Sequence, residues 1–211
     1  MKKIATFLTA IVIMSMNANA QQRDIQLPAP DKNVSMTLFE ALQNRHSERE
    51  FGDREVSDTT LSQLLWAACG INRPDGKLTA PSAINRQDVR VYAVRKDGAY
   101  LYEPKENKLR QVSDKDLRLA AAGRQTEMAD APIILVLASD QSVFGDLGVP
   151  KEVLASFSNL DAGYVSQNIC LAAEALGLKT VPRMTMDQDA LRKELALPDS
   201  EVLVVNNPIG Y

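Results

Sequence analysis

The segment LQNRHSEREF, residues 42–51, concentrates side chains that could bind charge or transfer a proton. It contains His46, the only histidine of the chain, followed by Ser47 and flanked by Arg45 and Arg49. A histidine in a polar setting could act as an acid or a base in catalysis. Two arginines around a serine hydroxyl could instead hold a phosphate, because the guanidinium fork matches phosphate oxygens. A basic helix end that binds no ligand would explain the same residues.

Hydrolase chemistry is disfavoured by the rest of the sequence. His46 is the only possible imidazole base, and the chain has no G-x-S-x-G turn to present a nucleophile. Ser47 is adjacent to His46, and neighbouring side chains rarely meet in the geometry of a catalytic triad. One histidine and two distant cysteines do not supply a metal-ligand cluster. Anion binding by the arginines therefore remains the main functional hypothesis for this segment.

The first twenty residues have the layout of a cleaved secretory signal. Lys2 and Lys3 precede an apolar run from Ile4 to Met16, and Ala18-Asn19-Ala20 matches an A-x-A cleavage site. The run is shorter than the roughly 20 residues that a membrane-spanning helix needs. We therefore predict export to the periplasm or the medium, with residues 1–20 as signal peptide. An uncleaved membrane anchor is the alternative.

The charge of the remaining chain argues against nucleic acid as a partner. Without Lys2 and Lys3, the 211-residue chain retains 22 basic and 27 acidic residues, a net charge of −5. Nucleic-acid binding needs a concentrated basic face, which this composition does not supply. Residues 21–34, with two prolines, are predicted to be an exported lead-in, and residues 35–211 have the length of one domain.

Periodicity predicts a mixture of helices with mostly antiparallel strands, which is an α+β fold. Thr37 and Glu40 have capping-box spacing at the start of a helix that should end near Asn44. The other predicted segments follow in chain order: a helix after Ser57 or Asp58 that stops at Gly70, a long loop over 71–88, a meander over 89–112, a helix over 114–128, an apolar strand over 131–139, a long apolar helix over 151–176, and strands near 180–184 and 202–206 around a short amphipathic helix.

Two cysteines, Cys69 and Cys170, occur in the chain, each within an apolar helical pattern. An exported protein could join them in a disulfide. Two buried, inert thiols are the alternative.

Four motifs occur in the same order as in a known family. RHSEREF, residues 45–51, resembles the R-[RH]-S-x-[RK]-x-[FY] segment of the nitroreductase family of FMN proteins. TAPSAINRQDVRVYAV, residues 79–94, resembles the family's Pro-Ser-x-x-Asn-x-Gln loop and the strand after it. NLDAGYVSQNICLAAEALGL and VLVVNNPIGY resemble its long dimer helix and its final strand with a Gly-Tyr turn. Ala80–Ala83 and AAEALGL most resemble the branch that includes the peptide-heterocycle (thiazoline/oxazoline) dehydrogenases.

This resemblance implies a dimeric nitroreductase-like fold, FMN as cofactor, and a set of cofactor-binding residues. Arg45 and Ser47 would hold the FMN phosphate and ribityl chain, with help from His46. Arg49 would lie near the pyrimidine edge of the flavin and would stabilise the negative charge of the reduced ring. A loop of the partner subunit would cover the ring, with contacts from Pro81, Ser82, Ala83 and Asn85. Backbone N–H groups of Met184 and Thr185 would lie near the flavin N5 atom.

Three residues are left open by the resemblance. Gln87 either contacts the ligand or caps the junction between loop and strand. Family members often carry a basic residue beyond the Gly-Tyr turn that grips the phosphate, whereas this sequence ends at Tyr211. Arg124 or Arg183 could replace it, and Arg183 could alternatively reach a substrate anion.

The resulting functional hypothesis is an exported, homodimeric, FMN-dependent oxidoreductase. It would transfer two electrons by hydride transfer at the flavin N5, in nitro or quinone reduction or in dehydrogenation of a small substrate. No side chain need act as nucleophile, because the flavin carries the chemistry. The electron donor is left open, since nicotinamide cofactors are cytoplasmic. A non-catalytic protein that binds flavin or another small ligand on the same fold is the alternative, because fold does not fix function.

Overall fold

The computed structural model describes residues 23–211, which form one antiparallel sheet with helices against both faces. The expected signal peptide lies outside these residues. Within the described part of the chain, no helix is both long and apolar enough to cross a membrane. The strands are β1 (Ile25–Gln26), β2 (Val89–Arg95), β3 (Gly98–Glu103), β4 (Lys108–Ser113), β5 (Ile133–Asp140), β6 (Lys179–Thr180) and β7 (Glu201–Gly210).

The sheet is ordered β1-β4-β3-β2-β5-β7-β6, and every neighbouring pair of strands is antiparallel. Strands β2, β3 and β4 form the predicted meander, and β1 of the lead-in pairs with β4. The helices are α1 (Leu38–Asn44), α2 (Asp58–Cys69), α3 (Arg118–Ala122), α4 (Lys151–Ala175) and α5 (Gln188–Glu194). The predicted α+β class is confirmed.

The core has two layers because alternate residues of the central strands point to opposite faces. Along β5, Ile133, Leu135 and Leu137 pack in one layer with α2 and α4. Ile134 and Val136 pack in the other layer with α3 and α5. This explains why β5 is apolar without alternation, as predicted for a strand buried on both faces.

Helices α1 and α2 begin as their capping residues predict. The Thr37 side chain accepts the Glu40 N–H at 3.2 Å, and the Glu40 carboxylate accepts the Thr37 N–H at 2.7 Å, a complete capping box. Ser57 caps α2 by accepting the Thr60 N–H at 3.1 Å. Helix α1 ends at Asn44 as predicted, and this places the arginine-histidine-serine segment just beyond a helix end.

Helix α4 is buried on one face only. Ala162, Val165 and Ile169 pack against the sheet, whereas Leu160 and Tyr164 keep 52% and 40% of their side-chain surface exposed. The predicted long helix is confirmed. Its second apolar face remains uncovered within a single chain.

Two predicted elements are shorter than expected. The helix predicted over 114–128 consists of α3 and a separate 3-10 helix at Thr126–Asp130. They divide at Gly123, which has φ +61°, and a Cβ there would lie 2.9 Å from the Met186 Cα. The strand predicted over 180–184 is reduced to β6, because Pro182 has no N–H for the ladder, and Arg183 then forms an isolated bridge with Asn206.

Both cysteines are free, buried thiols. Burial raises the pKa of the Cys69 thiol to about 12, and burial also raises the pKa of Cys170. The structure therefore supports the inert alternative to a disulfide.

Candidate flavin-binding site

Residues 45–52 leave helix α1 and run beside β6 and the end of the chain. The Glu48 N–H donates to the Thr180 carbonyl at 3.0 Å, and the Gly52 N–H donates to the Tyr211 carbonyl at 2.7 Å. Lys179 Nζ donates to the Glu50 carbonyl at 3.2 Å. These bonds fix the backbone of the segment without using any of its arginine or serine side chains.

The side chains of Arg45, Ser47 and Arg49 have no hydrogen-bond or ion-pair partner within residues 23–211. Arg45 is half-buried, and the other two are exposed. The charge of Arg45 acts to lower the pKa of the Cys170 thiol, although burial of that thiol outweighs it, so Arg45 lies beside helix α4. Two guanidinium groups and a hydroxyl are therefore available to an anionic ligand.

His46, in contrast, is already engaged by its neighbours. Its Nδ1 lies 2.7 Å from the Asn44 carbonyl oxygen, and its Nε2 contacts the Glu48 carboxylate. The Asn44 carbonyl and then the Glu48 carboxylate raise the pKa of His46, so its charged form is favoured. An imidazolium that donates from both nitrogens has no lone pair left to accept a proton. The arrangement makes His46 unsuitable as a catalytic base.

Met184 and Thr185 line a cavity of about 840 Å³, together with Gly123, Arg124 and Met186. Met184 is 72% exposed, and the Thr185 carbonyl accepts Asn206 Nδ2 at 2.9 Å. The backbone N–H groups of Met184 and Thr185 donate to no acceptor in the described part of the chain. They are free donors at the wall of a cavity large enough for a ring system.

Arg183 does not reach a ligand position, contrary to one expectation from the sequence. Its side chain is 7% exposed and donates to Gln125 Oε1 at 2.9 and 3.0 Å, to Asn206 Oδ1 at 3.0 Å and to the Ala122 carbonyl at 2.6 Å. These bonds use all three nitrogens of the guanidinium and connect α3 to β7. Arg124, which is exposed at the cavity, remains the candidate for the additional phosphate-binding cation.

The arginine segment, residues 45–52, is connected by its backbone to the strand that leads into the Met184–Thr185 turn. Glu48 is bonded to Thr180, only three residues before Arg183. Burial lowers the pKa of Arg183, and the nearby positive charge of Arg49 lowers it further. The charge of Arg49 therefore acts on Arg183, the residue that directly precedes Met184.

The segment Pro81–Asn85 lies elsewhere, against the middle of α4. The Ala83 N–H donates to Asp161 Oδ2 at 2.8 Å, and Ser82 Oγ accepts the Gln87 N–H at 2.8 Å. Gln87 Nε2 donates to the Gly76 carbonyl at 3.2 Å, which favours the loop-capping alternative for that side chain. Pro81 and Asn85 are exposed, while Ser82 and Ala83 are half-buried.

Backbone strain is concentrated in this same segment. Ile84, Asn85 and Gln87 have φ values of 45°, 56° and 51°, in the left-handed region that non-glycine residues rarely adopt. For the β-branched Ile84, which is 61% exposed, this conformation is a true outlier. Such strain persists where the surrounding structure enforces it, and it is commonest at binding sites.

One chain does not bring the two groups of predicted residues together. Pro81–Asn85 is anchored at Asp161, whereas Arg45 lies beside Cys170, and these positions are about 14 Å apart along α4 at a rise of about 1.5 Å per residue. A second chain could supply one of the groups if both contact one ligand.

Two buried carboxylates and one half-buried amide were missed in the sequence. Asp88 and Asp161 are 0% and 1% exposed, and Gln125 is the main partner of Arg183. The sole signal for Asp161 is a carboxylate on the apolar face of α4, beside Ala162 and Val165. Nothing in the sequence pairs it with Asp88.

Comparison with known proteins agrees with this geometry. The sequence profile described as the Nitroreductase family matches residues 42–211. A Methanocaldococcus jannaschii protein assigned as a nitroreductase is 30% identical over 200 residues, covering 89% of this chain and 96% of the relative. The nitrobenzene nitroreductase of Ectopseudomonas oleovorans is 26% identical over 219 residues, covering 84% and 88% of the two chains.

A solved structure shows the same similarity in three dimensions. The crystal structure of a Ralstonia eutropha protein assigned as a nitroreductase superposes with a TM-score of 0.82 at 32% identity. The match covers 89% of each chain.

Proposed function

This chain belongs to the nitroreductase family and is an oxidoreductase, and from that premise we propose that it uses FMN to transfer two electrons to or from a small substrate. The observation that carries the proposal is the set of unpartnered donors described above. Within residues 23–211 the side chains of Arg45, Ser47 and Arg49 have no partner. The backbone N–H groups of Met184 and Thr185, which line the cavity, likewise donate to no acceptor among these residues.

These residues fit the chemistry of FMN. Arg45 and Ser47 would hold the phosphate and ribityl chain, since a guanidinium and a hydroxyl both donate to such oxygens. Arg49 lies toward the Met184–Thr185 turn, where its charge would favour the reduced, anionic ring. When bound, FMN supplies two-electron transfer through its N5 atom. The protein's part is to bind, orient and exclude water, and His46 has at most a supporting role at the phosphate end.

Arg124 would complete the phosphate or substrate end of the site. It is exposed and lines the cavity next to Gly123, whose close approach to the Met186 backbone places α3 against the turn. Arg183 donates from all three guanidinium nitrogens to protein acceptors, so it would stabilise the position of that turn rather than contact a ligand.

A homodimer would complete the site with Pro81, Ser82, Ala83 and Asn85 of the second chain. Helices α1 and α4 pack against each other. In the single chain, both helices leave large apolar side chains exposed. Phe39 is 81% exposed, Leu38 61% and Leu160 52%. Exposed apolar surface of this kind is typical of a protein interface.

Reduction of a nitroaromatic or a quinone is the proposed direction, supported by the similarity to a nitrobenzene nitroreductase. Dehydrogenation of a small substrate, as in the peptide-heterocycle branch, would use the same site in the opposite direction, with the flavin accepting the hydride from the substrate. Export through the N-terminal signal would separate the protein from nicotinamide cofactors, so the donor would be another small reductant, a quinone or a redox protein.

The test starts from the full chain, expressed and purified with any flavin that it retains. We expect a yellow protein that releases FMN on denaturation, and the dithionite-reduced protein should be reoxidised by nitrobenzene or benzoquinone without oxygen. The double variant R45A/S47A should lose most of its FMN but remain folded by circular dichroism. A colourless protein that cannot be reconstituted with FMN would contradict the proposal. So would a flavin that neither acceptor reoxidises.

A further inference from the structure

Two buried carboxyl groups lie behind the strained segment Pro81–Asn85. Asp88, just before β2, is fully buried, and Asp161 of α4 is 1% exposed. Asp161 Oδ2 accepts the Ala83 N–H at 2.8 Å, and Asp88 Oδ2 accepts the Ser139 hydroxyl. The second oxygen of each group, Oδ1, has no hydrogen-bond partner within residues 23–211. Buried polar atoms without partners are rare and call for an explanation.

No cation neutralises these two groups. Neither carboxylate has an ion-pair partner in the described part of the chain. Arg90 and Asp140, which follow in the two adjacent strands, pair with each other at 3.2 Å, and the Asp140 N–H donates to the Asp88 carbonyl at 2.9 Å. The other side chains bonded to this cluster are neutral.

Those neutral groups are hydroxyls and an amide. Ser139 Oγ lies 2.9 Å from Ser158 Oγ of α4, and Gln141 Nε2 donates to the same Ser158 oxygen at 3.1 Å. None of them can compensate two negative charges. Through Ser139 and Ser158, Asp88 is connected to the turn of α4 that carries Asp161 three residues later. Two carboxylates close together in a water-excluded site cannot both be ionised without a large cost, so the pair retains one proton.

We propose that Asp88 and Asp161 share one proton, and that this proton holds the segment Pro81–Asn85 in the strained conformation that covers the flavin of the partner subunit. The covering role rests on the proposed function, but the shared proton does not. A proton between the two Oδ1 atoms gives each unpartnered oxygen a hydrogen bond. Asp161 is then a positioning residue, which acts through the Ala83 N–H rather than on the ligand itself.

The electrostatics of Asp161 agree with this geometry. Burial is the main cause that raises the pKa of Asp161, and the neighbouring Asp88 raises it further. The hydrogen bond from the Ala83 N–H lowers it, and the resulting pKa is about 6. Because the pKa in the folded chain is raised, the stability that the shared proton gives to the pairing of the two carboxyl groups is fully present below the usual range of an aspartate. This stability is lost as the pH rises through about 6. The pairing of Asp88 with Asp161 is therefore sensitive to pH.

Strain supplies the force for a conformational change. Ile84, Asn85 and Gln87 keep their positive φ values only while the ends of the segment are fixed. The bonds that fix the segment are Ala83 N–H to Asp161, Gln87 N–H to Ser82 and Gln87 Nε2 to the Gly76 carbonyl. Once Asp88 and Asp161 are both charged, their repulsion pushes Asp88, which directly follows Gln87, away from Asp161. This displacement outweighs the stronger bond that a charged Asp161 accepts from Ala83, and the segment relaxes away from its covering position.

Hydrogen exchange of the backbone amides in residues 80–88 tests the proposal without any flavin. We expect protection, corrected for the intrinsic effect of pH on exchange, to fall at least about tenfold between about pH 5 and about pH 7, since one pKa unit is a factor of ten. In Asp161→Asn the protection should be high and independent of pH, because the amide accepts from Ala83 and donates to Asp88. Asp161→Ala should lose protection at every pH.

The control is Asp140→Asn, which removes a neighbouring carboxylate outside the pair and should keep the pH dependence of the parent. A parent protein with constant protection would overturn the proposal, as would an Asp161→Asn variant with the parent's pH dependence. FMN affinity, measured at the same pH values, should fall in parallel with protection. If protection changes and affinity does not follow, the shared proton stands and the covering role of the segment is refuted.

Discussion

The backbone N–H of Glu48 donates to the carbonyl oxygen of Thr180 at 3.0 Å, and this bond joins the two halves of the candidate site. It holds the arginine segment along β6, and Thr180 of β6 lies four residues before Met184, which begins the turn with Thr185. The side chains of Arg45, Ser47 and Arg49 are left free, because the backbone alone secures the segment. A rigid backbone with unpaired donors is pre-organised for an anionic ligand.

Arg45 and Ser47 should determine FMN affinity. Arg45→Ala should weaken FMN binding about 10- to 100-fold, since a hydrogen bond to a charged group contributes about 1.5–3 kcal/mol. Ser47→Ala should have a smaller effect, of about fivefold, as expected for one hydroxyl donor. Fluorescence titration of the flavin-free protein measures both. Lys105→Ala, which removes an exposed lysine at the turn between β3 and β4, is the control for a lost positive charge, and an equal effect there would refute the assignment.

Arg49 should govern the reduction potential more than the affinity. Arg49→Ala should lower the two-electron midpoint potential of bound FMN by about 30 mV or more, where about 30 mV corresponds to a tenfold change in the equilibrium constant. Arg49→Lys retains the charge and should recover most of the loss. Spectroscopic titration against a redox dye measures the potential. A potential equal to the parent's in Arg49→Ala would exclude a position beside the flavin ring.

Elements with local signals were predictable from the sequence. The capping box of Thr37 and Glu40, the apolar run of β5 and the spacing in α4 each depend on residues close together in the chain. The four motifs that resemble the nitroreductase family added the order of the site segments, and the family is confirmed.

Features that depend on distant contacts were not predictable. The break after α3 depends on the approach of Gly123 to Met186, and the burial of Arg183 depends on Gln125. The hydrogen bond from the Ala83 N–H to Asp161 likewise joins a loop to a helix far along the chain. Hydrophobic periodicity carries no information about such contacts, because it reports only which face of an element is buried.

Gly210 should be intolerant of a side chain. A Cβ there would lie 2.9 Å from Pro132 Cδ, closer than real contacts allow, and 3.0 Å from Phe51 Cδ1, which is an unusually tight contact. Gly210→Ala should therefore lower the free energy of unfolding by about 1–3 kcal/mol, measured by urea denaturation. The same substitution in a Phe51→Ala background should cost less, since one of the two obstructing side chains is gone. Equal costs in both backgrounds would show that Phe51 does not restrict this position.

The exposed apolar face of α4 should form the dimer interface. Leu160→Glu and Tyr164→Glu each place a charge on that face and should shift the protein from dimer to monomer in sedimentation velocity, with loss of bound FMN. Val202→Glu is the matched control, because Val202 is 39% exposed, close to the 40% of Tyr164, but belongs to β7 rather than α4. A parent protein that sediments as a monomer, or a dimer unaffected by both α4 variants, would contradict the shared site.

His46 should titrate above the ordinary range of a histidine without taking part in turnover. The Asn44 carbonyl and the Glu48 carboxylate stabilise its charged form and raise its pKa, and Glu48→Gln should lower that pKa by removing the carboxylate. Because the pKa in the folded chain is raised, the stability contributed by His46 is present below the unfolded pKa and is lost as the pH rises through the folded one. NMR titration reads this directly, since the chain has one histidine. Glu50→Gln should leave the midpoint unchanged, and a parent midpoint at or below the ordinary value would refute the ion pair.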